Sequence, residues 1–257
     1  MAKKLSHTLV GGRTVAGTGG QTLKIGSKGR LYWMDIDEES LIPLPAWCGE
    51  RGVFSGGTGD SNVIDYVTIA SPGNASDFGD LVLGRGGAGA NAGGGRGVIG
   101  GGNRGGAYKN EIDYVTIAST GNAQNFGDLT LARGYMNAAG NGVRMLWFGG
   151  AGEGGYSDIM DYVTIASTGN ATDFGDLSRT TGGTGACADA TRAVCYLAGE
   201  EPWNILEYVT IASTGNTTDF GDISVIRMHV AGFSDETRGI FAGGYESSDV
   251  IDYITIQ

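Results

Sequence analysis

The stretch "STGNATDFGD" (Ser167–Asp176) and its copies gather hydroxyl, amide and carboxylate oxygens in one short segment. Ca²⁺ binds six to eight such oxygens, so a calcium site is one possible use of this segment. The other use is a turn, in which Asn170 and Asp173 bond to their own backbone. Because Asn125 replaces the first aspartate in one copy, we expect the turn. We therefore predict no cofactor and keep Ca²⁺ as the alternative.

Catalysis requires a positioned nucleophile, base or metal, and the chain has only two histidines, His7 and His229, in unrelated contexts. No metal triad of the usual spacing can be built from them. One arginine recurs per repeat at the same strand position, which indicates one structural contact per repeat rather than a catalytic cluster. These are Arg51, Arg96, Arg144, Arg192 and Arg238. We predict that the protein is not an enzyme and keep a sugar-active enzyme as a less favoured alternative.

Several aromatic and polar side chains fall in the most variable parts of the sequence. Aromatic faces beside hydroxyls suit sugars, and aromatic residues also anchor protein interfaces. We take six of them as candidate ligand-binding residues: Tyr108, Tyr135, Tyr156, Trp203, His229 and Tyr245. The alternative for each is that it caps a hydrophobic layer.

These candidates are spaced by an internal repeat. The tyrosine of "DYVTIA" or its variants falls at positions 66, 114, 162, 208 and 253, in steps of 48, 48, 46 and 45 residues. Periods of this length are typical of propeller blades or solenoids. Each repeat carries four segments in one order: a small glycine-rich segment, an arginine-led one ending in glycines, the tyrosine segment, and "FGDL" or "FGDI".

The tyrosine segment carries bulky residues on both sides of a predicted strand, with Ile64 and Tyr66 on one face and Val67 and Ile69 on the other. Both faces must therefore be covered. Four-stranded sheets stacked around an axis cover both faces, and crowding at the axis requires small residues in the innermost strand. We predict an all-β fold, a β-propeller with the six candidate residues around one mouth of its channel.

The last repeat stops after its third segment. Each "FGD" aspartate precedes the next arginine by sixteen residues, and the same count back from Arg51 reaches Asp35. We therefore predict that residues 31 to 37 supply the missing outer strand, giving five four-stranded blades closed by an N-terminal strand. Residues 31–257 would form the propeller domain and residues 1–30 an arm or a degenerate blade, with six blades as the alternative.

Charge and cysteine content limit the partners and the compartment. The 257-residue chain has 17 basic and 28 acidic side chains, a net charge of −11, which disfavours nucleic acid and anionic lipid. We expect a soluble protein without a secretory signal or membrane insertion, because no sufficiently long apolar run is present. Three cysteines indicate buried thiols, with pairing of Cys187 and Cys195 across a hairpin as the alternative.

The segment order resembles the kelch-repeat β-propeller, with phenylalanine where kelch blades commonly carry tryptophan. The wording "IDYVTIASTGNATDFGDL" is similar to the repeat of structural proteins of tailed bacteriophages, especially marine ones. The resemblance implies a non-enzymatic virion structural protein on a tail fibre or appendage that binds a host surface glycan or protein. The alternative is a capsid decoration or assembly protein docked through its N-terminal arm. Either function implies location in the virion, other virion proteins as partners and a homo-oligomer.

Overall fold

The computed structural model describes residues 21–25, 31–35, 50–198, 203–235, 237–245 and 248–256. Contacts divide the chain into two units, Met1–Leu44 and Pro45–Gln257. In the first unit, strand β1 (Gln21–Ile25) pairs antiparallel with β2 (Leu31–Asp35). The described elements of the second unit are also all strands, and they form five antiparallel sheets.

The five sheets follow one another along the chain. Their strands are β3 (Arg51–Ser55), β4 (Val63–Thr68) and β5 (Ser76–Asp80); β6 (Gly89–Gly93), β7 (Arg96–Arg104), β8 (Ala107–Thr116) and β9 (Gln124–Asp128); β10 (Asn137–Gly140), β11 (Arg144–Phe148), β12 (Ala151–Gly152), β13 (Gly155–Thr164) and β14 (Thr172–Thr181); β15 (Gly185–Ala188), β16 (Arg192–Tyr196), β17 (Ile205–Thr210) and β18 (Thr218–Asp222); and β19 (Ala231–Ser234), β20 (Arg238–Ala242) and β21 (Ile251–Thr255). They are arranged as a five-bladed β-propeller, which confirms the predicted fold class.

The first and last sheets each have three described strands, β3 to β5 and β19 to β21. The predicted closing segment contains β2, whose described partner is β1. Residues 36 and 37 lie outside the described residues, and closure of the ring by this segment stays a prediction. The domain boundary at residues 30 and 31 stays a prediction.

Each of the three middle blades buries both of its faces against its neighbours. Leu146 and Trp147 are successive residues of β11, point to opposite faces, and are both fully buried. The Trp147 indole fits because glycine lies beside it: its Nε1 donates a hydrogen bond to the Gly89 carbonyl at 2.9 Å. A Cβ at Gly100 would lie 2.7 Å from the same ring. The small residues of the inner strands thus make room for the large ones of the next blade.

The "STGN" turns are fixed by the preceding blade. Asn122 Oδ1 accepts a hydrogen bond from the Asp80 amide at 3.1 Å, and Asn170 and Asn216 repeat this contact with the next two blades. The prediction that the asparagine bonds to its own backbone is therefore wrong, because stacking brings the outer strand of the neighbouring blade within reach. Asp173 does bond to its own local backbone, because it accepts a hydrogen bond from the Gly175 amide at 3.2 Å, but both residues lie in strand β14.

The recurring arginines make the predicted structural contact in each of the first four blades. Arg96 Nη1 donates to the Ile165 carbonyl of the next blade at 3.1 Å, and its guanidinium lies 4.7 Å from the centre of the Tyr114 ring. Arg51, Arg144 and Arg192 make the equivalent bonds to Ile117, Ile211 and Ile256.

Cys187 and Cys195 are buried free thiols, as predicted. The paired residues are Cys187 with Val194 and Ala186 with Cys195, so the alternative of a disulfide across this hairpin is wrong. Burial raises the pKa of Cys187 to about 12, with a smaller contribution from the charge of Asp189, and also raises that of Cys195.

We expect both thiols to resist a thiol-specific reagent at pH 8, because the thiolate is the reactive form and burial suppresses it. The assay uses a Cys48→Ser variant and counts modified thiols before and after denaturation in guanidinium chloride. Rapid modification of the folded protein would contradict this prediction.

A second prediction concerns two glycines of one repeat, Gly169 before strand β14 and Gly175 within it. A Cβ at Gly175 would collide with the Gly215 carbonyl of the next blade, and its φ of +139° disfavours any side chain. We expect Gly175→Ala to lower the free energy of unfolding by more than about 2 kcal/mol. Gly169, which has open space around it, is the matched control, and its change to alanine should stay within about 0.5 kcal/mol in urea unfolding. Equal effects of the two substitutions would show that contact with the next blade does not decide where alanine can replace glycine.

Candidate functional site

Four links, each joining the outer strand of one blade to the inner strand of the next, lie at one end of the propeller. The bridges Gly86 to Asn103 and Gly134 to Ala151 place two links against the turns that follow the second strands of their blades. Links and turns therefore share one mouth, as the strand order predicts.

Three of the links are anchored by a buried ion pair that the sequence analysis missed. Arg85 contacts Asp113 at 2.9 Å, Arg133 contacts Asp161 at 2.9 Å, and Arg227 contacts Asp252 at 2.8 Å. The aspartate in each pair precedes the repeat tyrosine, and the recurring link arginine was the available sequence signal. Such pairs add little net stability over apolar packing. They fix one arrangement of the link, however, because breaking them leaves a buried charge without a partner.

Burial and the charged partner shift the pKa values of these side chains in opposite directions. Burial lowers the pKa of the Arg133 guanidinium, while the charge and hydrogen bond of Asp161 act in the opposite direction. For Asp252 burial is the largest influence and raises the pKa, but hydrogen bonds from Ser224 and Arg227 and the guanidinium charge together hold the pKa below its ordinary value. The Asp252 carboxylate is thus kept ionised beside its arginine.

The remaining link, which joins the third and fourth blades, is built differently. Thr181 stands where the other links have the buried arginine, and its hydroxyl bonds to the Ala198 carbonyl. Glu207 replaces the aspartate and accepts bonds from the Ser178 amide and the Thr217 hydroxyl. The arginine of this link, Arg179, is exposed instead, with its guanidinium 4.9 Å from the centre of the Trp203 ring.

One position in each link adopts a left-handed backbone conformation. Glycine occupies it in two links, Gly87 and Gly183, whereas Tyr135 and His229 occupy it in the others, both with φ of 56°. A hydrogen-bond chain joins the four positions: Tyr135 donates to Gly87, Gly183 to Tyr135, and His229 to Gly183, at 2.7 to 3.0 Å. This conformation costs a residue with a side chain about 1–2 kcal/mol. Strain of this kind clusters at functional sites.

Three aromatic side chains at this mouth pack directly on glycine residues. The Tyr135 ring covers Gly87, where a Cβ would be 3.0 Å away, and the His229 ring covers Gly183 at 2.9 Å. Tyr156 similarly covers Gly182, and Tyr108 packs edge-on against Tyr135 with the ring centres 6.5 Å apart. We call Tyr108, Tyr135, Tyr156 and His229 the aromatic rim.

The two remaining candidates lie beside the rim. Trp203 is partly buried against the core between the third and fourth blades, and its carbonyl accepts a bond from the Tyr196 hydroxyl at 2.9 Å. Tyr245 is 68% exposed, and its amide donates to the Met228 carbonyl at 2.7 Å, next to His229 in the chain. The structure therefore brings three of the six predicted residues onto the glycines of the links, packs Tyr108 against Tyr135, and gives Trp203 a packing role.

The central channel contains a separate cavity of about 860 Å³, lined by inner-strand residues such as Ala90, Ala138 and Ala186. None of the rim residues lines it. Asp189, at its edge, is already bonded by the amides of Thr191 and Arg192 at 2.7 Å. The cavity lining includes one exposed aromatic residue, Phe233, whereas the residues of the aromatic rim lie outside it.

Within the described ranges, no cluster of three or more His, Cys, Asp or Glu side chains could hold a metal ion. A helix with the length and apolarity to cross a membrane is likewise not found among the residues that the structure covers.

Comparison with known proteins identifies the fold. No protein-family model matches the chain, and neither does any curated protein. A solved structure described as "Structure of YjhT" matches with a TM-score of 0.62 at 11% identity, covering 79% of this chain and 73% of that chain. At this identity the likeness shows the fold alone, and the chain has the fold of a β-propeller.

We expect the strained position to reverse the usual order of two substitutions. Glycine normally stabilises less than alanine by about 0.5–1 kcal/mol, but at a left-handed position it relieves strain. Tyr135→Gly should therefore be more stable than Tyr135→Ala, measured by urea unfolding. Tyr156, which lies in strand β13, is the control, and there the alanine variant should be the more stable. The same order at both sites would refute strain at Tyr135.

Proposed function

We propose that the protein is a non-enzymatic binding propeller whose aromatic rim binds a carbohydrate of a host cell surface. The observation that carries this proposal is the pair of exposed side chains, Tyr135 and His229, held at strained positions where other links have glycine. Folding alone favours glycine there, so the side chains serve something other than the fold.

The chemistry of the rim suits a saccharide. Flat phenol rings offer apolar faces for the C–H side of a sugar ring, and their hydroxyls offer hydrogen bonds to its rim. The Tyr108 and Tyr135 rings meet edge-on and the Tyr156 and His229 rings cover adjacent glycines, so the aromatic groups form two neighbouring pairs. A ligand longer than one sugar unit can contact both pairs.

The virion is the proposed location. The support is the repeat wording, which is similar to that of structural proteins of tailed bacteriophages and follows a kelch-like segment order. We propose that copies of the chain assemble with other virion proteins on a tail fibre or appendage, and that the rim faces the host.

The experiment compares binding of wild type and a Tyr135→Gly, His229→Gly variant to a glycan array and to host cells. Glycine is the residue of two other links, so the variant should fold normally, as checked by its melting temperature. We expect the variant to lose at least tenfold in affinity. Val82→Ala, in the first link and away from the rim, is the control. Unchanged binding by the double variant would refute a rim site.

A capsid decoration or assembly protein is the second candidate. It is favoured by the division of contacts, which sets Met1–Leu44 apart from the propeller as a unit that could attach to a shell. Immunogold labelling of virions separates the two candidates. Label confined to the head, together with unchanged host binding by the rim variant, would favour decoration.

A further inference from the structure

The link between the third and fourth blades departs from the other links in where it places its arginine. In three links the arginine is buried and paired with aspartate, whereas in this one Thr181 takes the buried position and Arg179 lies on the surface. The buried site is completed without Arg179, by the Thr181 bond to Ala198 and by Glu207. The fold of this link therefore does not require a cation.

Arg179 is held in a defined orientation. Its guanidinium lies over the Trp203 ring, 4.9 Å from the ring centre, and Trp203 is itself fixed by packing against the core. The attraction between the cation and the ring face holds the guanidinium in place and leaves N–H donors for another group. An arginine in this state is prepared to bind a planar anion.

Arg179 is also close to the aromatic rim. Strand β14 carries both Arg179 and Thr181, and Thr181 pairs with Ser157, the neighbour of Tyr156. Two residues along a strand span about 6.6 Å, which is similar to the width of a sugar ring. Arg179 is therefore separated by that distance from Thr181, the residue paired with Ser157. The adjacent Gly182 is covered by Tyr156 and Gly183 by His229.

We propose that Arg179 is a specificity-determining residue that binds the carboxylate of an acidic saccharide, while Tyr156 and His229 contact its sugar rings. The inference rests on the proposed function of the rim and names the ligand class as uronate-bearing oligosaccharides. Arginine binds a carboxylate through two parallel N–H bonds, which gives both affinity and orientation. With a net charge of −11 the chain as a whole repels anions, so a local cation is needed to select one.

The test is a glycan array on which each uronate-bearing oligosaccharide is printed beside its carboxyl-reduced, neutral form. Wild type should bind the acidic form at least tenfold more tightly than the reduced form. Arg179→Met should bind both forms equally, and Arg179→Lys should recover part of the preference, since it keeps the charge without the planar fork. Because Arg179 is exposed, each variant should keep the wild-type melting temperature.

Arg238→Met is the matched control, because Arg238 is also an exposed arginine near an aromatic ring, 5.6 Å from the centre of Tyr253. It should keep the wild-type preference. Equal binding of acidic and reduced forms by wild type, lost in the Tyr135→Gly, His229→Gly variant, would overturn the carboxylate site and leave the rim site standing. Binding unaffected by both the rim substitutions and Arg179→Met would overturn both proposals.

Discussion

The structure depends on one constraint: the sheets of the three middle blades have both faces covered by their neighbours. Leu146 and Trp147 are buried on opposite faces of one strand, so a single sheet of this sequence is not stable alone. Stacking covers these faces and brings backbone against backbone, which only glycine permits at positions such as Gly175. The high glycine content and the bulky aliphatic strands are thus two consequences of the same packing.

The sequence predicts the fold well because its signals are periodic. Strand order, small inner strands and the arginine contact of the first four blades all follow from the repeat. The partner of Asn170 does not, because a local pattern indicates a turn but not which blade lies beside it. The site is predicted in part: Tyr135 aligns with Gly87 and His229 with Gly183, but a left-handed backbone is visible only when these are compared as one position.

The links show how one part of a repetitive fold differs from its copies. Three of them are held in one conformation by a buried arginine and aspartate, so the same residue types have the same structural role in each. The fourth satisfies its interior with Thr181 and Glu207 and places Arg179 outside. Trp203, which the sequence suggests as a ligand-binding residue, instead packs with its ring against this arginine.

The bond from the Asp80 amide to Asn122 joins two successive repeats, and the same bond joins the next two pairs. Each turn is therefore shaped by the repeat before it, so every copy must match its predecessor, and drift in one copy is opposed by the next. Removing or duplicating a whole repeat preserves every such match. Evolution can change this propeller in steps of one blade more easily than within a blade.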